Sequence, residues 1–134
     1  MTITPSDLVD FADRLVTENE AACRSGVSRA YYGAYHATLA FYTGLPSGGV
    51  VSKPQEGSHG KLFQSLLAPT ISPQDPRHTI SRKLGVLGRQ LHGLRITADY
   101  DLATTVSDEL RKQSVLQARK IIQVIDGSHL PVDL

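Results

Sequence analysis

An all-α domain is what this sequence predicts, and three observations carry the prediction. Apolar residues recur at helical steps, most plainly Ile80, Leu84, Leu87, Leu91 and Leu94, whose alternating spacings of four and three make a bundle seam. No stretch alternates apolar and polar residues for long enough to form a strand. Glycines, prolines and capping residues punctuate the periodic stretches where helices should start and stop.

Five helices follow in order. The first is announced by Thr4-Pro5-Ser6-Asp7: a threonine able to cap, proline in the first turn and an acid three residues after the cap. Leu8, Ala12, Leu15 and Val16 are its expected buried stripe. The second starts at Ala22 or Ser28, runs to Tyr42 and stops at Gly44-Leu45-Pro46, a glycine cap followed by proline. It is the most apolar helix, which places it centrally in a bundle and makes any polar side chain on it notable. Residues 44–58 form a long loop, of a length that goes with function or disorder. The third helix spans about residues 58–68 and buries Leu62, Phe63, Leu66 and Leu67, after which Pro69, Pro73 and Pro76 break the chain. The fourth covers residues 79–97. The fifth starts near Thr105-Val-Ser-Asp108 and runs to about Ile125, with Leu110, Ala118, Ile121, Ile122 and Ile125 as its core face. Residues 1–126 make one domain and 127–134 a tail.

With 134 residues, 40% hydrophobic and 20% charged, the composition is that of one globular domain with one sizeable core, and neither disordered nor membrane-embedded. The start of the chain lacks the basic and apolar regions of a signal peptide, and no apolar run approaches the roughly 20 residues needed to cross a bilayer. Cys23 is the sole cysteine, so no intrachain disulfide or zinc knuckle is available. These features point to the cytoplasm, with no membrane contact. A net charge of +1 makes no overall electrostatic case for nucleic-acid binding, which must rest on local clusters. Two occur: Arg77, Arg82, Lys83, Arg89 and Arg95, then Arg111, Lys112, Arg119 and Lys120. The second reads as a solvated helix face after the acidic start Asp108-Glu109.

Two constellations could carry chemistry. Arg29, Tyr32 and His36 share one stripe of the second helix, since seven residues return to nearly the same azimuth about 10 Å along the axis. Guanidinium matches phosphate geometry and imidazole titrates near neutrality, so such a stripe could bind a phosphate and move a proton. The alternative is that Arg29 and His36 are interior groups bonded to other helices. On the fourth helix Gly85, Gly88, His92, Arg95 and Asp99 recur at steps of three and four. Glycine within a helix costs about 1 kcal/mol relative to alanine, so two on one face suggest close approach of another helix or of a ligand, packing being the commoner cause. Arg95 and Asp99 are spaced for an ion pair.

His59 stands where the long loop enters the third helix, suited to ligand contact or to capping, whereas His78 and His129 have no evident partner and are expected at the surface. No metal-binding spacing, ordered phosphate loop or serine-nucleophile motif occurs, so neither metal nor cofactor is expected.

Taken together, Ser28-Arg29-Ala30-Tyr31-Tyr32 with His36, then Ser58-His59-Gly60, then Leu94-Arg95 followed by Ala98-Asp99-Tyr100-Asp101, resemble a small prokaryotic HEPN protein over about residues 6–126. The resemblance implies an up-and-down bundle of four main helices plus a short additional helix, often a homodimer with polar residues near a cleft at its interface. It implies action on RNA or nucleotides. The family includes metal-independent endoribonucleases, toxins paired with nucleotidyltransferase-type antitoxins, defence components, and non-catalytic nucleotide- or protein-binding modules within a larger complex. Its ribonucleases carry an arginine and a histidine with four to six residues between them, typically with a polar residue after the arginine. Arg29 and His36 meet the outer limit, with Ala30 in the polar position and the motif on the second helix rather than late in the bundle. Carried onto this chain, the resemblance implies Arg29, His36 and Tyr32 as catalytic and Arg95, Asp99, Tyr100, His59 and His92 as phosphate- or nucleotide-binding. Cleavage would leave a 2′,3′-cyclic phosphate.

Overall fold

The protein, described by a computed structural model over residues 2–46 and 58–127, is built from five helices. They are α1 (Pro5–Arg14), α2 (Glu20–Thr43), α3 (Ser58–Leu67), α4 (Pro76–Tyr100) and α5 (Asp108–Gly127), and the described residues contain no strand. The expected loop lies outside the described residues beyond Pro46, as do the tail from Ser128 and His129 within it.

Capping chemistry explains the helix starts. Thr4 and Asp7 form the expected box: the Asp7 amide donates to Thr4 Oγ1 at 3.1 Å, and the Thr4 amide to Asp7 Oδ2 at 2.9 Å. α2 starts earlier than its alanine-rich run suggests, because Asn19 Oδ1 accepts from the Ala22 amide at 2.9 Å. α4 starts earlier than residue 79. Pro76 opens the helix instead of breaking the chain, at a position where its missing N–H is no loss, and Asp75 caps it by accepting from the Arg77 amide. At α5 the capping oxygen is that of Ser107, which accepts from the Leu110 amide at 3.2 Å, not that of Thr105.

The central place of α2 follows from its composition. It touches all four other helices, and α3 lies along α4. The main core joins Ala30, Tyr31, Ala34 and Tyr35 of α2 to Leu62, Phe63 and Leu66 of α3, Leu84 and Leu91 of α4, and Val115, Ala118 and Ile121 of α5. A smaller cluster of Cys23, Val27, Ala98 and Val106 closes the end where α2 begins and α4 finishes. On α1 the buried residues are Val9 and Ala12; because the helix ends at Arg14, Val16 lies beyond it and is exposed.

Gly85 and Gly88 serve packing. A Cβ on Gly85 would stand 2.7 Å from Leu67 Cγ, and one on Gly88 would overlap the ring of Phe63. α3 reaches α4 through this gap. Gly88→Ala is expected to lower stability by about 1–2 kcal/mol in chemical denaturation. The overpacking penalty of about 1–3 kcal/mol outweighs the helical gain of alanine, since buried Phe63 has nowhere to retreat. Unchanged or raised stability would show that α3 is not held this closely.

The basic stretch on α5 is not uniformly solvated. Lys112 and Lys120 are exposed, but Arg111 is only 5% exposed and Arg119 bridges to Asp10 and Asp13 on α1. Among the described residues no helix is long and apolar enough to cross a membrane.

Candidate functional site

On one face of the bundle α2, α3 and α4 bring their polar and aromatic side chains together. Arg95 is the hub. Its Nε donates to Asp99 Oδ2 at 2.8 Å and its Nη2 to Tyr32 Oη at 2.9 Å. Its guanidinium lies 5.6, 5.3 and 5.4 Å from the ring centroids of Tyr31, Tyr32 and Tyr100. Such cation–aromatic contacts contribute on the order of 0.5–2 kcal/mol each. Burial disfavours the charge of Arg95, but Tyr32, Asp99 and Tyr100 more than offset this and hold its pKa above the ordinary value. Ser28, buried on α2, donates from Oγ to the same Asp99 oxygen at 3.2 Å. The exposed Arg29 puts a second guanidinium 5.3 Å from the Tyr32 ring. Two cations thus flank one phenol, the arrangement that suits a phosphate oxygen.

Three imidazoles complete the cluster. His59, at the start of α3, stacks on Tyr35 with centroids 4.0 Å apart, and its Nδ1 lies 2.5 Å from Tyr31 Oη. His92, on α4, stacks beyond it at 5.9 Å, also facing Tyr31 and Phe63. His36 is exposed, 5.4 Å from Tyr35 and 6.4 Å from Tyr32. Burial, then Arg95, His92 and His36, push His59 down to about 4, and burial with Arg95 pushes His92 down as well. Burial likewise raises the pKa of Tyr31. At neutral pH the inner pair of imidazoles is uncharged and the phenol beneath them protonated.

All eight residues singled out in the sequence meet here: Arg29, Tyr32 and His36 from α2, His59 from α3, and His92, Arg95, Asp99 and Tyr100 from α4. Arg29 and His36 are surface groups, so the interior reading of that pair is overturned. The expected Arg95–Asp99 ion pair is present. His59 is held by Tyr31 and Tyr35 of α2. His78, expected at the surface, is half-buried.

Four further participants have no role assigned by the sequence alone, although Ser28 and Tyr31 belong to the run Ser28–Tyr32. Tyr31 and Tyr35 orient His59, Ser28 steadies Asp99, and Arg24 secures the end of α4. Nη1 of Arg24 donates to the carbonyls of Thr97, Ala98 and Asp101 at 3.2, 2.9 and 3.0 Å, fixing the turn that carries Asp99 and Tyr100. The i,i+4 spacing of Glu20 and Arg24 was visible in the sequence, and their ion pair forms. The carbonyls that Arg24 reaches lie more than seventy residues away and left no local signal.

No family model, curated protein or solved structure matches this chain. A cavity of about 380 Å³ lies between the start of α1 and the ends of α2 and α5, lined mainly by Ala37, Ala40, Phe41, Ile122 and Ile125. It shares no residue with the polar cluster. Its nearest cation, Arg77, is already paired with Asp75 at 2.7 Å. The histidine–arginine face is the one equipped for proton transfer on an anion.

Proposed function

We propose that this chain is a HEPN-type cytoplasmic protein that acts on RNA as a metal-independent endoribonuclease. The observation that carries the reading is the placing of Arg29 and Arg95 at 5.3 Å from one ring, Tyr32, with the exposed imidazole of His36 one turn further along α2. A phosphodiester seated at Tyr32 would have its developing charge stabilised by both guanidiniums. The neighbouring ribose 2′-OH attacks phosphorus, the bond to O5′ breaks, and the products carry a 2′,3′-cyclic phosphate and a 5′-hydroxyl. Imidazoles handle the two proton transfers. Dependence on the 2′-OH makes the activity specific to RNA.

A homodimer belongs to the same reading, supported by the exposed apolar residues Val86 and Ile96 on α4 and the open space around Gly93 between them. A nucleotidyltransferase-type antitoxin or a larger effector complex would supply its control.

Incubation with a mixed RNA pool in EDTA tests the activity. Wild type should leave cyclic phosphate ends and spare the 2′-deoxy equivalent. Arg29→Ala and His36→Ala, with unchanged circular dichroism, should each lose on the order of 10²-fold or more. RNA left intact at every protein concentration would replace the enzyme with a non-catalytic nucleotide- or protein-binding module, in which Arg95, Tyr32 and Asp99 tie α4 to α2.

A further inference from the structure

We propose that the two proton transfers are divided, His59 acting as general base toward the 2′-OH and His36 as general acid toward O5′, with Tyr31 positioning the base. This rests on the reading of the site as a ribonuclease centre. It adds a second catalytic imidazole from a different helix and gives each a separate task.

Geometry places both rings at the same seat. The centroid of Tyr32 lies 6.0 Å from that of His59 and 6.4 Å from that of His36, and Tyr35 touches both, at 4.0 and 5.4 Å. A phosphate held at Tyr32 by Arg29 and Arg95 therefore has one imidazole from α3 and one from α2 within reach. Displacement at phosphorus with an alkoxide leaving group needs two such groups, because one proton leaves O2′ while another arrives at O5′.

Their surroundings assign the roles. His59 is half-buried and faces Tyr31, Tyr32, Tyr35 and His36 from α2 and His92 and Arg95 from α4, a setting that keeps it unprotonated and ready to accept. A bound phosphate offsets the pull of Arg95 and moves the ring toward its ordinary basicity. His36 is exposed and draws its proton from solvent. For Nε2 of His59 to be the base, Nδ1 must carry the ring proton and donate it to Tyr31 Oη, 2.5 Å away. Stacking on Tyr35 at an interplanar angle of 15° fixes the ring plane, and among the described residues Nε2 has no hydrogen-bond partner. In the step, His59 Nε2 takes the 2′-OH proton as the O2′–P bond forms. The P–O5′ bond breaks and His36 gives its proton to O5′. The turnover ends with His59 protonated and His36 neutral, and exchange with water resets both.

The test compares wild type, His59→Gln, His36→Gln and Tyr31→Phe on an RNA that wild type cleaves and on the same RNA with sulfur replacing O5′ at the scissile bond. Sulfur leaves without protonation. His36→Gln should cut the oxygen substrate at least ~10²-fold more slowly but the sulfur substrate less than ~10-fold more slowly; His59→Gln should slow both by at least ~10²-fold. In wild type the acidic limb of kcat/KM should coincide with the titration of His59 followed by NMR on the RNA-free protein. Tyr31→Phe should move limb and titration together, with little change in KM.

Recovery of His59→Gln on the sulfur substrate, or its full activity on both, overturns the assignment while leaving the ribonuclease reading intact. Wild type inactive on every RNA removes both. Should His59→Gln fail to fold, the match or mismatch of wild-type limb and NMR titration decides.

Discussion

Under the proposed ribonuclease reading, Arg95→Ala is expected to lower kcat/KM for RNA cleavage by about 10²–10³-fold, the range that follows loss of one preorganised donor from a charge-stabilising site. The substitution does more than remove a cation. Asp99, which now accepts from Arg95 at 2.8 Å, would keep only the Ser28 hydroxyl at 3.2 Å and would face the phosphate as an uncompensated anion. Tyr32 would lose the donor to its phenol oxygen. Arg95→Lys should recover little, because an ammonium cannot serve Asp99 and Tyr32 from a planar fork while lying over three rings. Asp99→Asn should be far milder, since the guanidinium keeps its bond to Tyr32. Equal losses in Arg95→Ala and Asp99→Asn would mean the pair acts only as scaffolding.

The same variant has a pH signature. His59 titrates in the folded protein at about 4 against an ordinary 6.5, so between those values the unfolded chain holds a proton that the native state refuses. Its share of stability is complete above about pH 6.5 and declines as pH falls toward 4. Burial is the main cause and Arg95 the next, for His92 as for His59. Removing Arg95 should raise both pKa values and flatten the decline, seen as a smaller difference between urea midpoints at pH 7 and pH 4.

What the sequence could reveal about this face follows from helical geometry. Arg29, Tyr32 and His36 share a stripe whatever the tertiary structure, as do His92, Arg95 and Asp99, so each half-site was legible. Their convergence was not, because it depends on α2 packing against α4, which sets Arg95 on Tyr32, and on α3 approaching α4 at Gly85 and Gly88, which carries His59 onto Tyr31 and Tyr35. Pro76 looked like a breaker among Pro69 and Pro73; only the bond from the Arg77 amide to Asp75 marks it as the first residue of α4. Arg111 was the least legible residue. Followed by Lys112 and preceded by two acids, it carries the pattern of a solvated helix, and the feature that sets it apart is Gly26 on α2. A Cβ there would stand 2.5 and 2.6 Å from Arg111 Cδ and Cγ, so the glycine makes room for the arginine stem to pass into the interior.

Arg111→Ala should therefore be strongly destabilising, about 3–5 kcal/mol in chemical denaturation, the range for breaking one side of a buried charged network. Its Nη1 donates to the carbonyls of Ala12 and Asp13 at 2.9 and 3.1 Å, closing the end of α1, and its Nε to Asp108 Oδ1 at 2.7 Å. α1 is a ten-residue helix, too short to persist without tertiary ties. Arg119 also bridges α5 to α1, at 36% side-chain exposure, and its replacement by alanine should cost only about 0–1 kcal/mol. Arg111→Met would refill the space beside Gly26 without restoring the bonds and should fall between the two.

Acid sensitivity supplies a check independent of packing. The Arg111 hydrogen bond, then that from Thr17, holds Asp108 at about 2 against 3.8, so its stabilising share is present above about pH 4 and lost as pH falls through 2. In Arg111→Ala the loss of stability across that window should be smaller than in wild type. Because Arg111 joins α5 to α1 while the polar face is built by α2, α3 and α4, the proposed ribonuclease activity should run at the wild-type rate in the fraction that stays folded. A folded Arg111→Ala protein with impaired cleavage would mean that α1 and the polar face are coupled through α2.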